Sequence, residues 1–136
     1  MNEILTISRQ VVNDMLTQAQ KSPDAEICGL VAGHENHGQH IYPIRNIAES
    51  ATTRYHLDPK EQIDAMRHIR DNQQSLIAIY HSHPSSAALP SATDLDEASY
   101  PDAIYLIISL NTIGVLELSA FKISDKSYKS IELKLE

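Results

Sequence analysis

Residues 75–84 read SLIAIYHSHP, an apolar run that ends in two histidines and a proline. Such a run between polar residues is typical of a short central strand with both faces covered. Pro84 cannot donate a hydrogen bond to a sheet and favours an extended conformation at His83, so the strand is expected to stop there. Side chains two apart on a strand share a face, which predicts that His81 and His83 present their imidazoles side by side.

Helices are expected before this strand in the sequence. The first follows Ser8 as N-cap, buries one apolar stripe and ends near Pro23. The second begins with Asp58 as N-cap and Pro59 at its first position, with Glu61 reaching back to the cap in a variant of the capping box. Its inner face is expected to carry three apolar side chains, those of Ile63, Met66 and Ile69.

Strands and a short acidic helix account for most of the remaining chain. Two strands, at 26–33 and 41–44, are predicted to form a hairpin around a polar stretch with Gly38. The other predictions are a short strand at 55–57, a helix at 93–99, strands at 103–110, 114–122 and 127–135, and a turn at 111–114. Helices flanking a mixed sheet make an α/β or α+β fold, expected to be a single domain over residues 1–136.

Composition excludes several classes of protein. The chain has 136 residues, 42% of them hydrophobic and 21% charged, as in an ordinary globular domain. A formal net charge of -7 argues against general binding to nucleic acid or anionic membrane. A single cysteine, Cys28, excludes a disulfide scaffold and favours the cytoplasm. The longest apolar run, 103–110, is too short to span a membrane, and the N-terminus lacks the positive start of a signal peptide.

Asp94 adds a carboxylate that the loop after His83 can bring back to the two imidazoles. Two imidazoles and one carboxylate suit Zn²⁺ and leave its fourth tetrahedral position for water. An open zinc position would lower the pKa of that water from about 15.7 to about 7. Glu26, which opens an apolar strand, is the best-placed general base, with Asp24 as a weaker alternative. Ser91 could donate to an oxyanion, or it could cap the short helix through the backbone N–H of residue 93 or 94.

These residues resemble the JAMM or MPN+ metalloproteases. The pattern of that family is an upstream Glu, then His-Ser/Thr-His-Pro, six further residues and Ser-x-x-Asp. In this chain the upstream Glu is Glu26, His-Ser-His-Pro is residues 81–84, and the six further residues are 85–90. Ser-x-x-Asp is residues 91–94, so every element is present. The resemblance implies a cytidine-deaminase-like mixed sheet flanked by helices.

The resemblance also implies a site and an activity. Zinc would be held by His81, His83 and Asp94, with Glu26 as acid/base and Ser91 on the oxyanion. The reaction would be hydrolysis of a peptide or isopeptide bond, often after the C-terminal Gly-Gly of a ubiquitin-like protein. The short chain is similar to stand-alone prokaryotic members, which are associated with sulfur-carrier proteins. Such a protein could also form a homodimer. The substrate tail would bind extended, by adding to an exposed strand edge.

Several alternatives stay open at this point. The chain could be a non-catalytic interaction domain, whereas a zinc nucleobase deaminase is excluded because it needs a Pro-Cys-x-x-Cys pair and this chain has a single cysteine. His34, His37 and His40 could form a second metal site, but their polar surroundings favour a flexible hairpin tip. Cys28 is expected to be a small buried hydrophobe rather than a nucleophile. The acidic group of Asp94, Asp96, Glu97 and Asp102 is expected to be a solvated face that could also attract a basic protein surface.

Overall fold

The computed structural model describes residues 3–111 and 116–136. In chain order its elements are β1 (Ile4–Ile7), α1 (Arg9–Gln20), β2 (Cys28–His34), β3 (His37–Ile44), α2 (Pro59–Asp71), β4 (Ser75–His83), α3 (Ala92–Glu97), β5 (Ile104–Ser109), β6 (Glu117–Ser124) and β7 (Ser127–Leu135). The strands form a mixed sheet that closes into a barrel in the order β1-β3-β2-β4-β5-β6-β7. The predicted mixed sheet with flanking helices is confirmed.

Strand β4 is the centre of the sheet. It pairs antiparallel with β2 and parallel with β5, and all its residues from 77 to 83 are buried. Ala78 and Tyr80 belong to an apolar cluster with α1, whereas Ile79 belongs to a second cluster with α2. Because side chains alternate, His81 and His83 continue the Ile79 face, on the side of α2. The prediction of a central strand covered on both faces is confirmed.

Helix α1 agrees with the sequence analysis, but the strand before it was missed. The Ser8 hydroxyl accepts a hydrogen bond from the Val11 N–H at 3.1 Å. The buried stripe of α1 consists of Val11, Val12, Met15 and Ala19. Strand β1 was not predicted, because it has only four residues and its partners, β3 and β7, lie far along the chain. Those two pairings close the barrel.

Helix α2 begins as predicted, but two details of the prediction were wrong. Asp58 is the N-cap and its carboxylate accepts from the Lys60 N–H at 3.0 Å. Glu61 does not reach back to the cap: its carboxylate accepts from the Arg45 N–H at 2.8 Å, while the Asp58 N–H donates to the Arg45 carbonyl. Ile63 is 58% exposed, because the helix packs through Ala65 and Ile69, and Ile63 lies about 200° around the helix from Ala65.

The hairpin also differs from the prediction in detail. Its turn is formed by Glu35 and Asn36, both with positive φ (48° and 62°), so Gly38 lies inside β3. A Cβ on Gly38 would approach Val31 Cγ1 to 2.8 Å, which accounts for glycine there. His37 and His40 therefore belong to β3 rather than to a flexible tip.

Three segments remain to be described. Residues 55–57 form no strand and contribute a single bridge between Leu57 and Asn46. Residues 112–114 of the predicted turn, and with them the predicted start of the sixth strand, lie outside the described residues. None of the helices that the structure describes combines the length and the apolar character needed to cross a membrane.

The start of α2 gives a test of the fold. The Arg45 guanidinium donates to Asp58 at 2.6 Å and holds the pKa of that carboxyl below its usual value. We expect Asp58→Ala to lower the melting temperature by about 3–5 °C at pH 7. Since the pKa is lowered in the folded state, the ionic part of this contribution is complete above about pH 4 and is lost as the pH falls further.

Thermal melts between pH 7 and pH 3 measure this effect. Asp64→Ala is the matched control, because it removes the same charge from an exposed position of the same helix. A loss of stability in Asp64→Ala equal to that in Asp58→Ala would contradict the assignment of the cap.

Candidate metal centre

Three buried side chains converge at the end of β4. The Nε2 atoms of His81 and His83 are 3.1 Å apart, and Asp94 Oδ2 lies 3.1 Å from the first and 3.0 Å from the second. Within residues 3–111 and 116–136, this is the one group of at least three His, Cys, Asp or Glu side chains whose geometry could hold a metal ion. The structure thus brings together the three residues that the sequence singled out as metal ligands.

The geometry of the three atoms fits a divalent ion. With mutual separations of 3.0–3.1 Å, a point on either side of their plane lies at about 2.0–2.1 Å from all three, the usual distance of zinc from imidazole nitrogen and carboxylate oxygen. Two imidazoles and a carboxylate also suit the borderline character of zinc. In the metal-free protein the same separations are hydrogen-bonding distances, at which a protonated imidazole donates to Asp94.

Hydrogen bonds fix the orientation of His83 and Asp94. His83 Nδ1 donates to the Ala87 carbonyl at 2.8 Å, so in the neutral ring the Nε2 lone pair faces the cluster, whereas in the protonated ring Nε2 donates to Asp94. Asp94 is the third residue of α3, and its Oδ2 accepts from the Ser91 N–H at 2.9 Å, while Ser91 Oγ accepts from the Asp94 N–H at 3.0 Å. Ser91 therefore caps α3, which leaves the proton of its hydroxyl free to donate to another acceptor.

The charges of the three residues follow from burial and from one another. Burial opposes ionisation of Asp94, but hydrogen bonds from His81 and His83 outweigh it and hold the pKa of Asp94 well below its usual range. Burial lowers the pKa of His81, which is fully buried. Burial also disfavours charged His83, yet its hydrogen bond with Asp94 raises the pKa of that imidazole. Asp94 is thus an anion at neutral pH.

Glu26 lies beside this cluster, two residues before β2. It is 4% exposed, and its Oε1 has no hydrogen-bond partner among the described residues. Burial raises its pKa from the ordinary 4.5 to about 8, with a lowering contribution from His83 and a raising one from Asp94. A carboxyl group with a pKa near neutrality can both accept and release a proton.

The backbone around Glu26 is held by side chains that the sequence analysis did not assign. Ser82 Oγ accepts from the Ile27 N–H at 2.9 Å, and the Ser82 N–H donates to the Ile27 carbonyl at 3.0 Å. Asn46 Nδ2 donates to the Glu26 carbonyl at 2.9 Å. The position of Ser82 between two histidines of one face already places it on the opposite face, so its supporting role could have been predicted. The role of Asn46 could not have been predicted in this way, because it depends on a contact with the Glu26 carbonyl from another part of the sequence.

A pocket of about 590 Å³ adjoins the cluster. Asp94 lines it together with the aromatic rings of Tyr55, Tyr100 and Tyr105. Strand β4 pairs with a neighbour on each side, so it has no free edge next to the site where a peptide could add. The prediction of strand addition therefore finds no support at β4.

The other candidate residues lie apart from the cluster or are occupied otherwise. Cys28 is buried, its Sγ donates to the Ile44 carbonyl at 3.3 Å, and burial raises its pKa to about 12, as befits a small hydrophobe. His34, His37 and His40 are not part of any metal-binding group among the described residues. Of the predicted acidic face, Asp94 is buried in the cluster, whereas Asp96, Glu97 and Asp102 are exposed.

Comparisons with known proteins point to one family. Residues 8–123 match the family model described as prokaryotic homologs of the JAB domain. The chain is 37% identical over 125 residues to the CysO-cysteine peptidase of Mycobacterium tuberculosis, covering 90% of this chain and 84% of that one. It is 33% identical over 111 residues to the desampylase of Haloferax volcanii, covering 77% of this chain and 80% of the relative.

Solved structures give the same result. A solution structure of a protein from Desulfitobacterium hafniense aligns with a TM-score of 0.86 and 31% identity, over 98% of this chain and 92% of that one. A JAB1/MPN domain protein from Archaeoglobus fulgidus aligns with a TM-score of 0.61 over 97% of this chain and 96% of that one. At 15% identity, the second similarity concerns the fold alone.

The raised pKa of Glu26 predicts how the stability of the metal-free protein depends on pH. Folded Glu26 keeps its proton up to about pH 8, whereas in the unfolded chain it ionises near pH 4.5. Stability is therefore lost as the pH rises between these two values. We expect Glu26→Gln, which cannot ionise, to melt at a higher temperature than the parent at pH 8, and by a smaller margin at pH 5.

Thermal melts in the presence of a chelator measure this difference. Glu49→Gln, the same change at an exposed position, is the matched control and is expected to follow the parent. Parallel pH profiles for the parent and Glu26→Gln would show that burial does not hold a proton on Glu26.

Proposed function

The chain belongs to the prokaryotic homologues of the JAB domain and is a JAMM-type hydrolase, and we propose that it is a zinc-dependent metallopeptidase or isopeptidase. Its proposed substrate is the C-terminal Gly-Gly tail of a small ubiquitin-like or sulfur-carrier protein, cut at a peptide or isopeptide bond. The observation that carries this proposal is the convergence of His81, His83 and Asp94 beside the buried carboxyl of Glu26. Relatives named as a CysO-cysteine peptidase and a desampylase support the substrate class.

We propose His81, His83 and Asp94 as the ligands of Zn²⁺. When bound, zinc supplies a Lewis acid and lowers the pKa of a water molecule from about 15.7 to about 7. Asp94 contributes the negative charge of the ligand set, because its pKa lies far below neutrality. The bond from His83 Nδ1 to the Ala87 carbonyl presents Nε2 in the form that binds a metal.

Glu26 is the proposed general acid and base. With a cation held beside it, which favours the ionised form, its carboxylate would take the proton of the attacking water and then deliver it to the nitrogen of the leaving amine. Its burial and the unpartnered Oε1 support this role, since no described neighbour competes for that atom. Burial also keeps its proton affinity near the value that such a transfer needs.

Ser91 has two compatible roles in this proposal. Its oxygen accepts from the Asp94 N–H, which stabilises the turn that holds Asp94. Its hydroxyl proton can be donated to the oxyanion that forms when the scissile carbonyl is attacked, a contribution of about 3 kcal/mol to the barrier in comparable sites. The cap is thus structural, and the proposed catalytic role of Ser91 is the hydrogen bond to the oxyanion.

The wider setting of the enzyme is also proposed. The lone, buried Cys28 supports a reducing, cytoplasmic environment. The formal net charge of -7 supports a protein partner in preference to nucleic acid or anionic membrane. We propose that residues 1–136 act as a single domain. The complete ligand set argues against the alternative of a non-catalytic interaction domain.

Metal content tests the ligand assignment. We expect the purified protein to contain about one zinc per chain, because three protein ligands at one site are the usual set of a catalytic zinc ion. His81→Ala, His83→Ala and Asp94→Ala should each remove most of this zinc, as measured by mass spectrometry of the bound metal. His40→Ala, at an exposed histidine of β3, is the matched control and should retain it. Folded parent protein that binds no zinc would contradict the proposal.

Cleavage of a defined substrate tests the reaction. Incubation with a purified sulfur-carrier protein that carries an extension after Gly-Gly should release the extension, detected by the mass of the shortened carrier. Glu26→Gln should retain zinc but lose at least about 100-fold in turnover, since proton transfer to and from the substrate is removed. Undiminished turnover by Glu26→Gln would move the base role to another residue. Full cellular function of all inactive variants would favour an interaction domain.

A further inference from the structure

The two imidazoles of the cluster are held in position by different means. His83 is anchored by the hydrogen bond from its Nδ1 to the Ala87 carbonyl at 2.8 Å. His81 is fully buried, yet its Nδ1 has no hydrogen-bond partner among the described residues. A ligand histidine is ordinarily oriented by a bond to that second nitrogen. Another contact must therefore define the plane of the His81 ring.

Tyr55 supplies the closest aromatic contact to this ring. Its ring stacks on the imidazole of His81 with 4.4 Å between centroids and 22° between planes. Stacking at this distance restricts rotation of the imidazole about its side-chain torsions, because any large turn drives the ring edge into the phenol. We propose that Tyr55 is a positioning residue for the metal centre, whose ring holds His81 Nε2 toward Asp94 and His83. This inference rests on the proposed metal site.

The segment that carries Tyr55 is itself firmly anchored. Asn46 Nδ2 donates to the Arg54 carbonyl at 3.1 Å, and Asn46 Oδ1 accepts from the His56 N–H at 3.0 Å. The two residues that flank Tyr55 are thus tied to one side chain. The same Asn46 amide donates to the Glu26 carbonyl at 2.9 Å. One asparagine consequently fixes both the stacked ring and the proposed general base.

The position of Tyr55 gives its ring a second effect. Tyr55 lines the pocket of about 590 Å³ that adjoins Asp94, and its ring also covers one face of the His81 imidazole. A smaller side chain would admit water to the imidazole, whose Nδ1 could then bond to that water in several ring orientations. The expected consequence is a less preorganised ligand set, and preorganisation of ligands by outer contacts is worth about 10-fold to 100-fold in metal affinity.

Zinc affinity of Tyr55 variants tests this proposal. We expect Tyr55→Leu to weaken zinc binding about 10-fold to 100-fold, measured by competition with a fluorescent chelator. Tyr55→Phe keeps the ring and should stay within about threefold of the parent. Tyr55→Met is measured as well, in case the leucine variant does not fold. Circular dichroism and melting of the metal-free proteins establish that each variant is folded.

The matched control is Tyr105→Leu. Tyr105 is buried and lines the same pocket, but its hydroxyl accepts from the Ser99 and Tyr100 N–H groups and its ring is not stacked on His81. Its zinc affinity should therefore stay near that of the parent. With Co²⁺ at saturation, visible absorption bands report ligand geometry, and they should change in Tyr55→Leu but not in Tyr55→Phe.

The outcomes separate this inference from the proposed function. Unchanged zinc affinity and an unchanged Co²⁺ spectrum in folded Tyr55→Leu or Tyr55→Met would overturn the positioning role. Equal losses in Tyr55→Leu and Tyr55→Phe would overturn it too, since the hydroxyl would then matter rather than the ring. An equal loss in Tyr105→Leu would show a general effect of the pocket and would also contradict it. Absence of zinc from the parent would instead defeat the proposed metal site.

Discussion

The alternation of side chains along one buried strand is the constraint on which the site depends. In the last three residues of β4, His81 and His83 point to one face and Ser82 to the other. Polar groups buried in a sheet are costly unless each finds a partner. The two imidazoles meet Asp94, and Ser82 binds the backbone next to Glu26. A shift of one residue in register would exchange these roles.

Two buried carboxyl groups in one site acquire opposite properties from their surroundings. Asp94 receives the imidazoles and the Ser91 N–H, which keep it ionised. Glu26 lacks such bonds at Oε1, and burial favours its protonated form. A separation of pKa values between neighbouring acids is the means by which a site assigns one group to charge and another to proton transfer. The protein achieves it through the placement of hydrogen-bond donors.

Local patterns in the sequence predicted much of the fold and the grouping of the site residues. The period of apolar residues indicated α1 and β4, and the spacing in 91–94 indicated the cap that carries Asp94. Features that depend on distant contacts were missed. Strand β1 exists only through its pairing with β3 and β7, and the exposed position of Ile63 follows from how α2 packs on the sheet. The contact of Tyr55 with His81 joins residues from segments far apart in the sequence, so no local pattern indicated it.

Anomalous diffraction at the zinc absorption edge, from crystals of the protein grown with Zn²⁺, locates the bound metal and identifies its ligands. We expect one strong anomalous peak at the end of β4, at about 2.0–2.2 Å from His81 Nε2, His83 Nε2 and Asp94 Oδ2. A peak bound by other side chains, or well-ordered crystals with no peak among these three atoms, would contradict it.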